Sequence, residues 1–130
     1  MNPIAIGCVV ALGILVFGGG WAVSVTRFLS KRISGHDQDP EDLAHKVVRA
    51  HANTTEYAAF LAVLMLYLGV HAPASWVVWT MIAATVCRYI FVAGLVLPRT
   101  MAKPNPIRFV GAAGTYVAGG GLLWALVQTL

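Results

Sequence analysis

Charged side chains are scarce in this sequence. Of its 130 residues, 9 are lysine or arginine and 5 are aspartate or glutamate, so that 11% of the chain is charged and 58% is hydrophobic. Soluble domains carry about 25% charged residues. The composition therefore excludes an ordinary water-soluble domain and indicates an integral membrane protein.

Cysteine is nearly absent as well. Cys8 and Cys87 are the only two, and neither lies in a CxxC or another metal-ligand spacing. We expect no metal site, and no disulfide, because the two are predicted near opposite ends of their helices. The sequence also has no nucleic-acid-binding motif, so nucleic acid is not an expected partner.

Four apolar runs stand out against this background, and each reaches the ~20 residues that a spanning helix needs. The sequence shows no sustained alternation of polar and apolar residues, which disfavours a β-barrel. We therefore predict an all-α integral membrane protein, a four-transmembrane-helix bundle in a single domain of residues 1–130. The predicted helices cover about residues 3–28, 40–70, 75–97 and 106–129.

Three helix starts carry capping residues. Asp39 followed by Pro40 predicts an N-cap and first helical residue for the second helix, and Asn105 followed by Pro106 predicts the same for the fourth. Ser75 is the predicted N-cap of the third helix.

Basic residues concentrate on alternate connections. By the positive-inside rule, the first and third loops are predicted to be cytoplasmic and both termini to lie on the opposite side. This face would meet anionic head groups of membrane lipids. The basic residues concerned are Arg27, Lys31, Arg32, Lys46 and Arg49 around the first loop, and Arg99, Lys103 and Arg108 around the third.

One stripe of the second helix combines polar groups of three kinds. Arg49, Asn53 and Glu56 are spaced i, i+4 and i+7, which places them on one helix face. Counted at ~1.5 Å per residue, Glu56 and Arg88 of the third helix fall at the same depth. An ionised carboxylate in hydrocarbon needs a partner, so we predict a buried ion pair between them.

Arginines outnumber acids on this side of the bundle. Arg27, Arg49 and Arg108 converge there in addition to Arg88, and one glutamate cannot neutralise them all. Such a surplus is suited to binding carboxylates or stabilising a thiolate. Arg27, like Arg99 and Lys103, could equally be an interface residue whose charge reaches the head groups.

The fourth helix carries small residues at regular spacing. Gly111, Thr115 and Gly119 recur at i, i+4 and i+8, a pattern that allows close helix contact within one chain or between subunits.

The segment from Arg49 to Glu56, read as RAHANTTE and followed by an aromatic residue, resembles the second-helix signature of the MAPEG family, the membrane-associated proteins in eicosanoid and glutathione metabolism. The resemblance extends over nearly the whole chain. It includes Pro40, Glu41 and Asp42 ahead of the signature, Arg88 followed by Phe91 and Gly94, and Arg108 at the head of the fourth helix.

The resemblance implies a homotrimer that binds glutathione as cosubstrate between neighbouring subunits, near the cytoplasmic face. It implies that Arg108 favours the glutathione thiolate and that Arg27 meets a glutathione carboxylate. The remaining implied contacts to the tripeptide come from Arg49, His51, Asn53 and Glu56, with Glu56 also engaging the amino end of glutathione and Arg88.

Some positions depart from the family pattern. Some family members have a second basic residue where this chain has Ala52. Members often have tyrosine or histidine where it has Phe91, and tyrosine where it has Leu95. The third connection is long, so the thiolate role falls on either Arg108 or Arg99.

Three functions are compatible with these features. The first is a glutathione transferase or peroxidase that acts on lipophilic electrophiles from the bilayer. The second is a catalytically inactive relative that keeps the fold and the binding groups. The third is a small multidrug-type transporter, for which Glu56, surrounded by arginines, is a poor cation-binding acid.

Overall fold

The computed structural model describes residues 1–31 and 38–130 and consists of four long helices. These are α1 (Pro3–Leu29), α2 (Leu43–Val70), α3 (Ser75–Val96) and α4 (Pro106–Val127). All four are long and apolar enough to cross a membrane. The predicted four-helix membrane bundle is confirmed. Arg32, which we counted among the basic residues of the first loop, lies outside the described residues.

The cap of α4 is as predicted. Asn105 accepts hydrogen bonds from the backbone N–H groups of Ile107 and Arg108, and Pro106 is the first helical residue. This cap fixes where α4 begins, and with it the position of Arg108 in the first turn of the helix.

Two other predicted caps were wrong. The N-cap of α2 is Asp42, whose side chain accepts from the His45 N–H at 3.0 Å. Asp39 instead accepts from the N–H groups of Glu41 and Asp42 and closes a turn before the helix. At α3 the cap position is Ala74, which makes no side-chain cap bond, and Ser75 is already helical. At α2 the sequence offers two acidic caps, Asp39 and Asp42, whereas α3 begins one residue earlier than a Ser75 cap requires and has no polar residue at its cap position.

Backbone hydrogen bonds join connections on the same face of the bundle. The Asn2 N–H donates to the Gly69 carbonyl at 2.8 Å, so α1 begins where α2 ends. At the other face the Met101 N–H donates to the Pro40 carbonyl at 2.9 Å. Pro40, just before α2, therefore lies beside the third connection, at the opposite end of the bundle from the start of α1.

The helices α2 and α3 are central, and α1 and α4 flank them without packing against each other in the described part of the chain. The core contains the fully buried side chains of Leu12, Met65, Met81 and Leu122. Many large apolar side chains point outward, among them Phe17, Trp79 and Val117. In water this surface would be unfavourable, whereas in a bilayer it faces lipid.

Lys46 fastens the third connection to α2. Its side chain is buried, and Nζ donates to the carbonyl oxygens of Pro98 at 2.9 Å and Arg99 at 3.4 Å. These carbonyls follow the carboxyl end of α3, where a cation interacts favourably with the helix dipole. The sequence indicated a basic residue near the first loop but gave no sign of this partner.

Glycines bring α3 and α4 into close contact at the same end. A Cβ atom on Gly94 would collide with the backbone of Arg108, and one on Gly111 would collide with the backbone of Phe91. Of the small-residue stripe on α4, Gly111 therefore packs within the chain, and so does Thr115, which is buried. Gly119 does not, because a Cβ there would meet no atom within 4 Å.

We expect Gly111→Ala to destabilise the protein by about 1–3 kcal/mol, because the added methyl group forces the α3 and α4 backbones apart. The matched control is Gly119→Ala on the same helix, which should be neutral or stabilising by up to about 1 kcal/mol. Thermal unfolding of both variants in detergent, followed by circular dichroism, tests the difference. Equal melting temperatures would contradict the close contact.

Candidate functional site

Arg88 of α3 is the most deeply buried charged residue among those described, with only 1% of its surface exposed. Its Nη2 donates to Asn53 Oδ1 at 2.9 Å and to Thr54 Oγ1 at 3.3 Å, both on α2. Its guanidinium carbon lies 5.1 Å from the ring centroid of Tyr57 and 4.8 Å from that of Phe91. The cation is thus held by neutral oxygens and two aromatic faces.

The predicted buried ion pair between Glu56 and Arg88 was wrong. Glu56 is exposed within the single chain, and neither residue forms an ion pair with any described residue. The depth of Arg88 along α3 was estimated correctly, since its guanidinium reaches the predicted stretch of α2. The direction in which the side chains point around their helix axes was not, so Arg88 contacts Asn53 and Thr54 instead of the Glu56 carboxylate, about one turn away.

An open cleft of about 950 Å³ lies where α2, α3, α4 and the third connection meet, and we call it the arginine cleft. Arg49 and Arg108 both line it, and no acidic residue does. The rest of the lining is mainly apolar and consists of Phe91, Leu95, Met101, Ala102, Pro104, Asn105, Pro106, Phe109 and Ala112.

Arg108 is held at the cleft by its own helix start and by the third connection. It is partly buried, and its Nη1 donates to the Met101 carbonyl at 3.1 Å. Arg99 is placed differently: its side chain is 88% exposed, and its Nε lies 3.4 Å from a Glu41 carboxylate oxygen. Arg99 does not line the arginine cleft. Of the two arginines considered for the thiolate role, only Arg108 lines the same cleft as Arg49.

A second cavity, which we call the α2–α4 groove, has a volume of about 420 Å³. Glu56 and Tyr57 of α2 line it together with Thr115 and Tyr116 of α4, and the centroids of the two tyrosine rings are 5.8 Å apart. Tyr57 therefore separates Arg88 from this groove, as Phe91 separates Arg88 from the arginine cleft.

His51 and Arg27 lie on the α1 side of the bundle. The His51 ring packs against Gly19 and Gly20 of α1 and lines a third cavity of about 430 Å³ between α1, α2 and α3. Both His51 Nδ1 and Arg27 Nε are buried without a hydrogen-bond partner in the described part of the chain. Neither residue lines the arginine cleft.

The structure thus brings Arg49 together with Arg108, and Asn53 together with Arg88, and leaves Arg27, His51 and Glu56 apart from both pairs within one chain. Sequence reasoning missed Thr54 as the second partner of Arg88. One feature of the sequence could have indicated it. Thr54 places a hydroxyl group next to Asn53 on the otherwise apolar side of α2 that faces α3, and a buried hydroxyl group needs a hydrogen-bond partner.

These features define a class of protein: an integral membrane four-helix bundle with an arginine-lined cleft at one end. The chain belongs to the MAPEG family, whose family model matches residues 5–128. Family membership makes it a membrane protein of the group associated with glutathione and eicosanoid metabolism. Comparison with curated proteins and with solved structures gives no match.

We expect Thr54→Val to lower the free energy of unfolding by about 1–2 kcal/mol, because the buried Arg88 loses one of its two acceptors. Thr55→Val is the matched control. Thr54 and Thr55 both donate to a carbonyl of their own helix, at 2.8 Å in each case, but Thr55 is exposed and does not contact Arg88. Chemical or thermal unfolding in detergent would contradict this account if the two variants lost stability equally.

Proposed function

We propose that this protein binds glutathione and uses its thiolate to conjugate or reduce lipophilic electrophiles, as a transferase or peroxidase. The observation that carries the proposal is the pairing of Arg49 and Arg108 in one cleft without a lining acid. Its volume, about 950 Å³, lies within the range of ~300–1,000 Å³ typical of ligand sites. Glutathione offers two carboxylates to such cations, and family membership supports the same ligand.

Arg108 is our candidate for the thiolate-stabilising residue. A guanidinium near the thiol favours the charged form and so lowers the thiol pKa. Its place in the first turn of α4 adds the positive end of the helix dipole to this effect. In the proposed site the thiolate replaces or joins the Met101 carbonyl as the acceptor of the Arg108 N–H groups.

The thiolate is the nucleophile, so no protein side chain forms a covalent bond. In conjugation, its sulfur forms a bond to the electrophilic carbon while the leaving group departs with the bonding electrons. Phe91, Leu95 and Phe109 give the cleft an apolar wall, which suits a substrate that partitions into the bilayer. We propose that this end of the bundle, with the first and third connections, faces the cytoplasm.

A binding protein without catalysis is the second candidate. The observation in its favour is that Phe91 and Leu95, which stand where family members often have hydroxyl or imidazole groups, both line the arginine cleft. Neither side chain can donate a hydrogen bond to a reacting group. Glutathione binding without turnover would support this second function.

We also propose a homotrimer with glutathione between neighbouring subunits. Arg27 and His51 lie away from the cleft of their own chain, so they could contact the tripeptide only in the cleft of a neighbour. The mass of the detergent-solubilised protein, measured by light scattering with the detergent subtracted, should equal three chains. A monomer or a dimer would contradict both the assembly and the shared site.

Arg108→Ala should abolish the ultraviolet thiolate absorbance of bound glutathione and any turnover, because the group that favours the charged sulfur is gone. We expect most of the glutathione affinity and the fold to remain, since Arg49 still binds a carboxylate. Difference absorbance spectroscopy with saturating glutathione measures the thiolate, and conjugation of a generic electrophile measures turnover.

Arg99→Ala is the matched control, because it removes an arginine of the same connection that lies outside the cleft. It should change neither the absorbance nor the rate. If Arg99→Ala abolishes the thiolate signal and Arg108→Ala does not, the thiolate role belongs to Arg99. If wild-type protein binds glutathione without any thiolate signal, the binding function replaces the catalytic one.

A further inference from the structure

The third connection, residues 97–105, contacts Arg108 through one of its backbone carbonyl groups. Arg108 Nη1 donates to the Met101 carbonyl at 3.1 Å. The N–H of Met101 in turn donates to the Pro40 carbonyl, just before α2, at 2.9 Å. The position of the Arg108 guanidinium in the arginine cleft therefore depends on where this connection lies, as well as on the start of α4.

Two side-chain contacts of unequal burial also tie the connection to the start of α2. Lys46 is only 6% exposed, and its Nζ donates to the carbonyls of Pro98 at 2.9 Å and Arg99 at 3.4 Å. The side chains of Arg99 and Glu41 form an ion pair at 3.4 Å, but they are 88% and 50% exposed. Because exposed ion pairs contribute little, Lys46 is the stronger side-chain anchor.

The burial of Lys46 is unusual for a lysine. Lysine side chains are rarely buried unless paired, and near the ends of membrane helices they usually extend to the head groups. Lys46 turns inward instead, toward two neutral backbone carbonyls, and no acid in the described part of the chain pairs with it. This buried ammonium group therefore serves to fix the position of the connection.

Lys46 also lies next to the cleft along α2. Lys46 and Arg49 are three residues apart and hence neighbours on the helix surface. Arg49 lines the arginine cleft from α2, and Arg108 lines it from α4. The same turn of α2 thus carries one cation of the cleft and the anchor of the connection that contacts the other cation.

We infer that Lys46 is a positioning residue: by holding the third connection against α2, it keeps the Arg108 guanidinium where it meets the sulfur of glutathione. This inference rests on the proposed function, because it takes Arg108 to be the residue that stabilises the thiolate. Lys46 does not line the arginine cleft and acts only through the connection. Without this anchor Arg108 stays cationic but is held less firmly, whereas Arg49 still binds a carboxylate.

The test is Lys46→Met in the full-length protein in detergent, which keeps an unbranched side chain and removes the N–H donors. The thiolate absorbance of bound glutathione, titrated against pH, gives the pKa of the bound thiol. Arg49 and Arg108 are the charged residues that line the cleft, so this pKa reports on their placement.

We expect the pKa of the bound thiol to rise by about one unit in Lys46→Met, which means about tenfold less thiolate at pH values below that pKa. Turnover at neutral pH should fall by the same factor and recover as the pH is raised. Glutathione affinity, measured by isothermal titration calorimetry, should change by no more than about threefold. A loss of stability alone would not shift the thiol pKa of the folded protein.

Lys103→Met is the matched control, because it removes the same group from an exposed position of the connection itself. It should leave the thiol pKa and the affinity unchanged. Lys46→Arg keeps the cation and the donors, so it should restore most of the thiolate signal. If Lys46→Met does not fold, Lys46→Gln, which keeps an amide donor, takes its place and should raise the thiol pKa in the same direction.

Two results would overturn the inference alone. In the first, wild-type protein binds the thiolate and the Lys46 variants give the same thiol pKa. In the second, Lys103→Met raises the thiol pKa as much as Lys46→Met does, so that the loss of any positive charge is the cause. Wild-type protein without bound thiolate would instead overturn the proposed catalytic function, and the inference with it. A raised thiol pKa that Lys46→Arg reverses would support the inference.

Discussion

The buried guanidinium of Arg88 is the constraint around which the polar end of the bundle is arranged. A cation inside a membrane bundle needs hydrogen-bond acceptors, and Arg88 finds them in Asn53 and Thr54 across the α2 and α3 interface. The guanidinium carbon also lies close to the ring faces of Tyr57 and Phe91. Because these aromatic rings also line the α2–α4 groove and the arginine cleft, the placement of Arg88 shapes both cavities.

The second requirement is that α4 start close to α3. Gly94 and Gly111 allow the two backbones to touch, and the Asn105 cap fixes the first turn of α4 beside that contact. Lys46 holds the third connection over the start of α2. Together these contacts bring Arg108 into the same cleft as Arg49, although the two are far apart in sequence. The cationic cleft is thus a consequence of packing and capping rather than of one local motif.

Much of the fold could be predicted from the sequence. Four long apolar runs define four spanning helices, because the length of hydrocarbon to be crossed leaves few alternatives. The cap at Asn105 was predictable because a single polar residue precedes a proline there. The start of α2 was not, because Asp39 and Asp42 offer two caps three residues apart, and their place in the sequence does not decide between them.

The site was only partly predictable, for a different physical reason. Residue spacing gives the depth of a side chain along its helix, and it correctly placed Arg88 at the depth of the polar stretch of α2. It does not give the rotation of one helix against the next, so Glu56 was paired with Arg88 in error and Thr54 was overlooked. The family resemblance named His51 and Arg27 together with Arg49, yet within one chain neither of the first two lines the arginine cleft. Arg27 belongs to the last turn of α1, and the His51 ring packs against Gly19 and Gly20 of α1.

The central claim is that the arginine cleft binds glutathione and ionises its thiol. Isothermal titration calorimetry at pH 7 in buffers of different ionisation enthalpy counts the protons released on binding. A free thiol of this kind is mostly protonated at that pH, so the account predicts release of about one proton per bound glutathione, and none with S-methylglutathione. Binding of glutathione without proton release would contradict it.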